Sequence, residues 1–248
     1  MKFKTYNISS RICIAILAIM LNMVSGQEVF QGKEKEEIRR IIEDYIMANP
    51  EVILNSVAEM RSREDQEREI AAKKNLIDLK DEIMHNPTDP VGGNPMGDVT
   101  VVEFFDYRCG YCKRFYTALN EVIDEDDNVR VVFKELPVLG PFSVLAARAA
   151  IAASRQNLYD DFHKRMMESN GSFDESQLFD IAEDVGLDVV RLKKDMELRG
   201  VQGILDDTKV LADKLSISGT PAIIVGEELI RGAIGKERLK SLIGQVRN

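Results

Sequence analysis

Residues 102–116, VEFFDYRCGYCKRFY, place Cys109 and Cys112 two residues apart, directly behind a run of β-branched and aromatic residues. Such a pair can hold a metal, staple a fold or carry electrons, and the rest of the chain has to decide. A structural zinc site needs four ligands, usually a second cysteine pair or histidines. This chain has three cysteines and two histidines, His85 in a Pro/Gly-rich boundary and His163 in a helical stretch. Soft Cu(I) held by thiolates and methionine is the more reasonable form of metal binding. The ten methionines, however, are scattered along helical segments, where they fill gaps in a core. The expectation is no metal site. A disulfide closing so short a loop also stabilises little, because that effect grows with loop length.

Redox chemistry explains the placement better. Cys109 falls where strand gives way to helix, so its sulfur meets the unpaired N–H groups and the positive dipole end of a first helical turn. Such settings lower a thiol pKa from about 8.5 to roughly 3.5–7.5. Cys112, one turn further in, is within reach of Cys109 and better buried. The first thiol attacks or is attacked, and the second resolves the mixed disulfide.

The elements around the pair follow from the apolar pattern. VTVVEFF reads as a buried strand, Gly110 to about Ile123 as a helix, and VRVVFKEL as a second strand. After the Pro137–Pro141 turn, helical periodicity runs to Leu215. SGTPAIIVGEELIRG returns to strands with Gly-Glu as the hairpin turn, and an amphipathic helix spans Lys236–Val246. The fold class expected is α/β: strand–helix–strand, a helical insertion at about 140–214, then hairpin and helix.

Upstream, HNPTDPVGGNPMGD concentrates Pro, Gly and Asn and marks a boundary. Gly92 and Gly93 within it make no phosphate loop, because no Gly-Lys-Ser or Gly-Lys-Thr follows. Before it, Ile38, Ile41, Ile42, Tyr45 and Ile46 form one apolar helical stripe, and Asn49–Pro50 restart the helix. Ile53, Leu54, Val57 and Met60 continue an apolar face, followed by a charge run from Arg61 to Lys74 that reads as a solvated helix face. A helix from Pro50 to Ile83 is too long to bury against one small domain. Self-association through residues 34–60 gives its apolar part a purpose. The N-terminal MKFKTYNISSRICIAILAIMLNMVSG has basic residues, a short apolar run and small residues before Gln27, the pattern of a cleaved export signal. The divisions expected are therefore 1–26 signal peptide, 27–86 helical extension and 87–248 catalytic domain. Cleavage removes Cys13 and leaves Cys109 and Cys112 as the only cysteines, in an oxidising compartment. With 44% hydrophobic residues and a formal charge of −9, the chain buries a real core and repels phosphate backbones, so nucleic acid is an unsuitable partner.

EFFDYRCGYC, FKELPVLGP and SGTPAIIVG, in this order and flanking a helical insertion, resemble the DsbA family of thioredoxin-fold disulfide oxidoreductases, from about Gly97 to the C-terminus. The helical extension, with IIEDYIMANPEVI, resembles more narrowly the ScsC-like members, some of which trimerise and act as disulfide isomerases. The resemblance implies a thioredoxin fold, no cofactor beyond a redox-active Cys109–Cys112 disulfide, and a periplasmic location. It implies exported cysteine-containing proteins as substrates and a membrane reductase or oxidase as redox partner. Cys109 matches the exposed nucleophile and Cys112 its buried partner. Gly110 and Tyr111 occupy the dipeptide that tunes reduction potential; DsbA itself carries Pro-His there, so a less extreme oxidant is expected. Glu103 matches the buried acid used in proton transfer, against the alternative of an acid on a strand's solvent face. Pro221 matches the cis-proline facing the disulfide. Thr220 before it presents backbone groups to an extended substrate strand. Lys134 and Glu135 read either as an influence on Cys109 or as a strand-end ion pair. Isomerase or reductase action by an oligomer is the favoured mode. A monomeric disulfide-forming oxidase and a copper-binding or adhesive protein on the same scaffold are the alternatives.

Overall fold

The computed structural model describes residues 32–169 and 174–248. The signal-peptide expectation for 1–26, including Cys13, lies outside them. The described chain divides into two compact units, one ending at Arg63 and the other beginning at Glu64.

The first unit holds helix α1 (Gly32–Ala48) and the start of α2 (Glu51–Asp78). Asn49 and Pro50 separate the two helices, and the Asn49 side-chain amide donates to the Tyr45 carbonyl at 2.8 Å. No residue of α1 is buried. Ile41, Ile42 and Tyr45 are exposed, as are Ile53, Leu54 and Met60 on α2.

The second unit begins within α2, upstream of the boundary expected at residue 86. A weak apolar stripe under the charge run explains the difference. Ala72 and Leu76 are buried, and Leu76 joins Ile83 and Met84 of α3 (Lys80–Met84) in a core with Val102, Phe104 and Val132. The helix expected to run to Ile83 breaks at Leu79, where α3 begins. Two strand cations hold the end of α3: Lys134 Nζ donates to the Glu82 carbonyl at 2.8 Å and Arg130 Nη1 to the Met84 carbonyl at 2.7 Å. Cations at a helix C-terminus satisfy its unpaired carbonyls.

A five-stranded sheet organises this unit, in the order β1 (Val91–Gly93), β3 (Val129–Glu135), β2 (Val99–Phe105), β4 (Ala222–Val225), β5 (Glu228–Arg231). Strands β2 and β3 are parallel and joined by α4 (Gly110–Glu125); the remaining pairings are antiparallel. β1 lies in the stretch read only as a boundary, since three residues of Val-Gly-Gly carry no strand periodicity. Its Gly92 has a packing reason: a Cβ there would stand 2.8 Å from the Phe133 ring.

Among the described residues, five helices fill the insertion between β3 and β4: α5 (Pro141–Ser154), α6 (Tyr159–Glu168), α7 (Glu175–Asp184), α8 (Val189–Met196) and α9 (Arg199–Lys214). Gly140 has φ +113°, a conformation costly for other residues, and turns the chain so that Pro141 opens α5. Asp174 and Gln177 form a reciprocal capping box at α7. α10 (Lys236–Arg247) closes the chain. One face of the sheet packs against α4, α10 and insertion helices, the other against Leu76, α3 and α9. The architecture is the thioredoxin fold with a helical insertion, preceded by helices.

Candidate active site

Cys109 is the N-cap of α4, with extended backbone (φ −79°, ψ 109°). Its sulfur accepts a hydrogen bond from the Cys112 N–H at 3.3 Å and lies 3.2 Å from the Thr220 carbonyl. Buried Cys112, Phe115, Tyr116, Leu119 and Val122 recur at helical spacing and seat α4 on the sheet. That seating fixes the N-terminal turn, and with it the sulfur. Both cysteines are free thiols. Hydrogen bonding from the Cys112 thiol lowers the Cys109 thiol to about 6; burial opposes the shift, while Thr220 and the backbone N–H groups of Cys112 and Tyr111 add to it. Cys112 goes the other way. Burial pushes its thiol far above the ordinary range, and its role as donor to Cys109 and the nearby Glu103 carboxyl add to that. One sulfur is therefore anionic at neutral pH and its neighbour a firmly held thiol.

Glu103 is wholly buried and neither carboxyl oxygen has a hydrogen-bond partner among the described residues. Burial, with Cys109 nearby, raises its pKa well above that of an ordinary carboxyl. It stands on the sheet face that carries α4, so the solvent-face alternative is excluded. The Thr220–Pro221 peptide bond is cis, and the antiparallel register Phe104↔Ala222 brings it to the end of β2 from which Cys109 departs. Cys109, Cys112, Glu103 and Thr220–Pro221 thus converge. Gly110 and Tyr111 sit in the exposed first turn of α4, the Tyr111 ring under the Arg114 guanidinium at 5.1 Å.

Lys134 and Glu135 are not paired with each other. Adjacent strand residues point to opposite faces, and both are buried. Lys134 forms an ion pair with buried Asp89. Glu135 accepts from the Tyr107 hydroxyl at 3.1 Å and the Tyr159 hydroxyl at 3.0 Å. Its pKa is raised well above the usual range by burial, which those two hydrogen bonds only partly offset. The Tyr107 hydroxyl also lies 2.9 Å from His163 Nδ1. Burial holds His163 down to about 3, so it is a neutral core residue, its ring stacked on Tyr159 at 5.4 Å. His85 is exposed, at the C-cap of α3.

One site residue escaped the sequence reading. Asp106, buried, directly follows β2. One of its carboxylate oxygens accepts from the Arg108 N–H at 2.8 Å, the other from the Val138 and Leu139 N–H groups at 2.9 Å each. Its own carbonyl accepts from the Cys109 N–H at 3.0 Å. An Asp at a strand end looks like any turn residue, and its partners thirty residues away leave no local signal.

Residues 100–244 match the family described as DSBA-like thioredoxin domain, over more than half of the chain. The chain belongs to the DSBA-like thioredoxin family. Its members are thiol–disulfide oxidoreductases. Residues 34–67 match the domain described as copper resistance protein ScsC N-terminal domain, which makes this an ScsC-like member. A thioredoxin-like oxidoreductase from Silicibacter pomeroyi DSS-3 is 42% identical, with a TM-score of 0.66, covering 68% of this chain and 97% of that one. A linker-deletion mutant of Proteus mirabilis ScsC, 22% identical, shares the fold at a TM-score of 0.67, covering 90% of this chain and 99% of that one. The Na(+)/H(+) antiporter NhaA 1 of Salinispora arenicola is 32% identical over 164 residues, covering 63% of this chain. The chain spans about a quarter of that antiporter's length. No described helix is long and apolar enough to cross a membrane.

Proposed function

We propose that this DSBA-like protein is an exported thiol–disulfide oxidoreductase that exchanges disulfides in secreted proteins, working as an isomerase or reductase in an oligomer. The observation that carries the reading is the pairing of an acidic Cys109 thiol beside the Thr220 carbonyl with a high-pKa Cys112. Cys109, expected as an exposed nucleophile, is itself buried at 6% exposure, its sulfur at the N-cap next to the exposed Arg108 and Gly110. The Cys109 thiolate attacks one sulfur of a substrate disulfide; that S–S bond breaks, the other substrate sulfur leaves as thiolate, and a mixed disulfide forms. In isomerisation a second substrate thiolate attacks the mixed disulfide and returns Cys109 to its thiolate form. In reduction the Glu103 carboxyl, once it has released its own proton to solvent, takes the Cys112 proton as the Cys112 sulfur attacks Cys109. The substrate then departs with both sulfurs reduced, and Cys109 and Cys112 share the oxidising disulfide. A membrane reductase would restore the dithiol. Thr220 would hold the substrate chain extended through its backbone.

The exposed Ile41, Ile42 and Tyr45 stripe supports assembly through residues 34–60, which would present several active sites to one substrate. Substituting Cys109→Ser tests the chemistry. Refolding of scrambled ribonuclease and reduction of insulin should fall by at least about a thousandfold, and retained activity would overturn the reading. Light scattering on Ile41→Glu/Ile42→Glu against the parent tests assembly. If both are monomers, the monomeric oxidase becomes the better description. The copper alternative has the description of the 34–67 match in its favour. It requires stoichiometric Cu(I) uptake lost with either cysteine.

A further inference from the structure

Asp106 is used by nothing in that scheme, yet it ties together two loops at the ends of the parallel strands. Its carboxylate spans Arg108 on one side and Val138 and Leu139 on the other. Arg108 returns the tie, its Nη1 donating to the Leu139 carbonyl at 2.9 Å. The Leu136 N–H donates to the Phe105 carbonyl at 2.9 Å, fastening the same loops one step earlier. The loop so held carries Val138 and Leu139 with side chains 39% and 44% exposed, although both are apolar. Arg108 is the residue before the nucleophile, so these bonds hold the 136–140 loop against the segment that leads into Cys109. A buried carboxylate that accepts backbone N–H groups from two loops fixes both at once, because each N–H left unpaired in the interior carries a desolvation cost.

We propose that Asp106 is a positioning residue for exchange with protein substrates: by holding the 136–140 loop against the Arg108–Cys109 segment, it sets Val138 and Leu139 where they receive an apolar residue flanking the substrate cysteine. The inference rests on the exchange reading above and adds to it a substrate preference and the residues that impose it.

The test compares reduced full-length protein reacting with three disulfides: a small aromatic disulfide (dithiobis-nitrobenzoate), a peptide disulfide with leucines beside its cysteine, and the same peptide with serines there. The parent should favour the leucine peptide. Asp106→Ala should lower kcat/KM for that peptide about tenfold, through KM, while the small disulfide changes by less than about threefold. Val138→Ser/Leu139→Ser, on the surface and harmless to folding, should do the same without touching Asp106. Asp106→Asn should fall between, since one amide oxygen can still accept from Val138 and Leu139. Equal handling of the two peptides by the parent would overturn the proposal. An intact leucine preference in the surface variant would do so too, as would a loss in Asp106→Ala that is as large for the small disulfide. If the parent reacts with none of the three, the exchange reading itself falls, and this one with it.

Discussion

Two ionisable residues, Lys134 and Glu103, lie buried on opposite faces of the same sheet, and their surroundings treat them in opposite ways. On the face toward α3, Lys134 is surrounded by partners: the Asp89 carboxylate and the Glu82 carbonyl. On the face toward α4, Glu103 has none among the described residues. Burial opposes charge at both places. A buried ion with its hydrogen bonds made is a structural tie, and its geometry is its purpose. A buried carboxyl left without partners among the described residues is a standing cost to the fold, and the use proposed for it above is to take and return a proton. The contrast separates architecture from chemistry within residues that the sequence presents alike.

Breaking the tie should give the larger effect. Lys134→Met leaves Asp89 buried without its cation and should destabilise the protein by about 3–5 kcal/mol in urea unfolding, with exchange activity per folded molecule unchanged. Adding Asp89→Asn should recover part of that loss. Reduced activity in the folded Lys134→Met protein would give Lys134 a share of the chemistry and dissolve the contrast.

Glu103→Gln should do the reverse. The reduction half-cycle, in which Cys112 must lose its proton, should slow about tenfold to a hundredfold, while single-turnover alkylation of Cys109 stays close to the parent rate. Stability should rise, and the sign follows from linkage. The Glu103 pKa in the folded protein lies above its value of about 4.3 in the unfolded chain, so unfolding releases its proton and grows more favourable as pH rises past that value. The parent should therefore lose stability between pH 4 and neutrality through this group. Glu103→Gln should flatten that part of the profile, which thermal unfolding across pH would read.

The smallest effect concerns Cys109 alone. With its thiol lowered to about 6, iodoacetamide labelling should rise about fivefold from pH 5 to 6 and level off above about 7. The depressed pKa stabilises the reduced protein most above the unfolded thiol value of about 8.5. That contribution shrinks as pH falls and is gone below 6, so the gap between reduced and oxidised stability should close toward acid pH.

The same two faces explain what the sequence discloses. CGYC behind VEFF, and TP ahead of AIIV, are local patterns, and the residues they mark converge at one end of the sheet. The role of Lys134 is illegible because its partners, Asp89 and Glu82, come from loop and helix far upstream. Strand alternation alone does establish that it cannot pair with Glu135. β1 hides inside a glycine-rich boundary, and Asp106 looks like any turn residue until Val138 and Leu139 are seen folded back on it. The second half of α2 reads as solvated because charges outnumber Ala72 and Leu76, although two buried side chains suffice to dock a helix.

The outermost strands, β1 and β5, are three and four residues long, the first mostly glycine and the second flanked by Glu228 and Arg231. A protein substrate of the proposed exchange would offer its own unpaired backbone, and a long flat border would invite that chain to zip on and stay. Clipped borders deny it a template. In the exchange proposed above, contact would be left to the place where a sulfur bond can later be undone, and the protein would escape being consumed by the material it acts on.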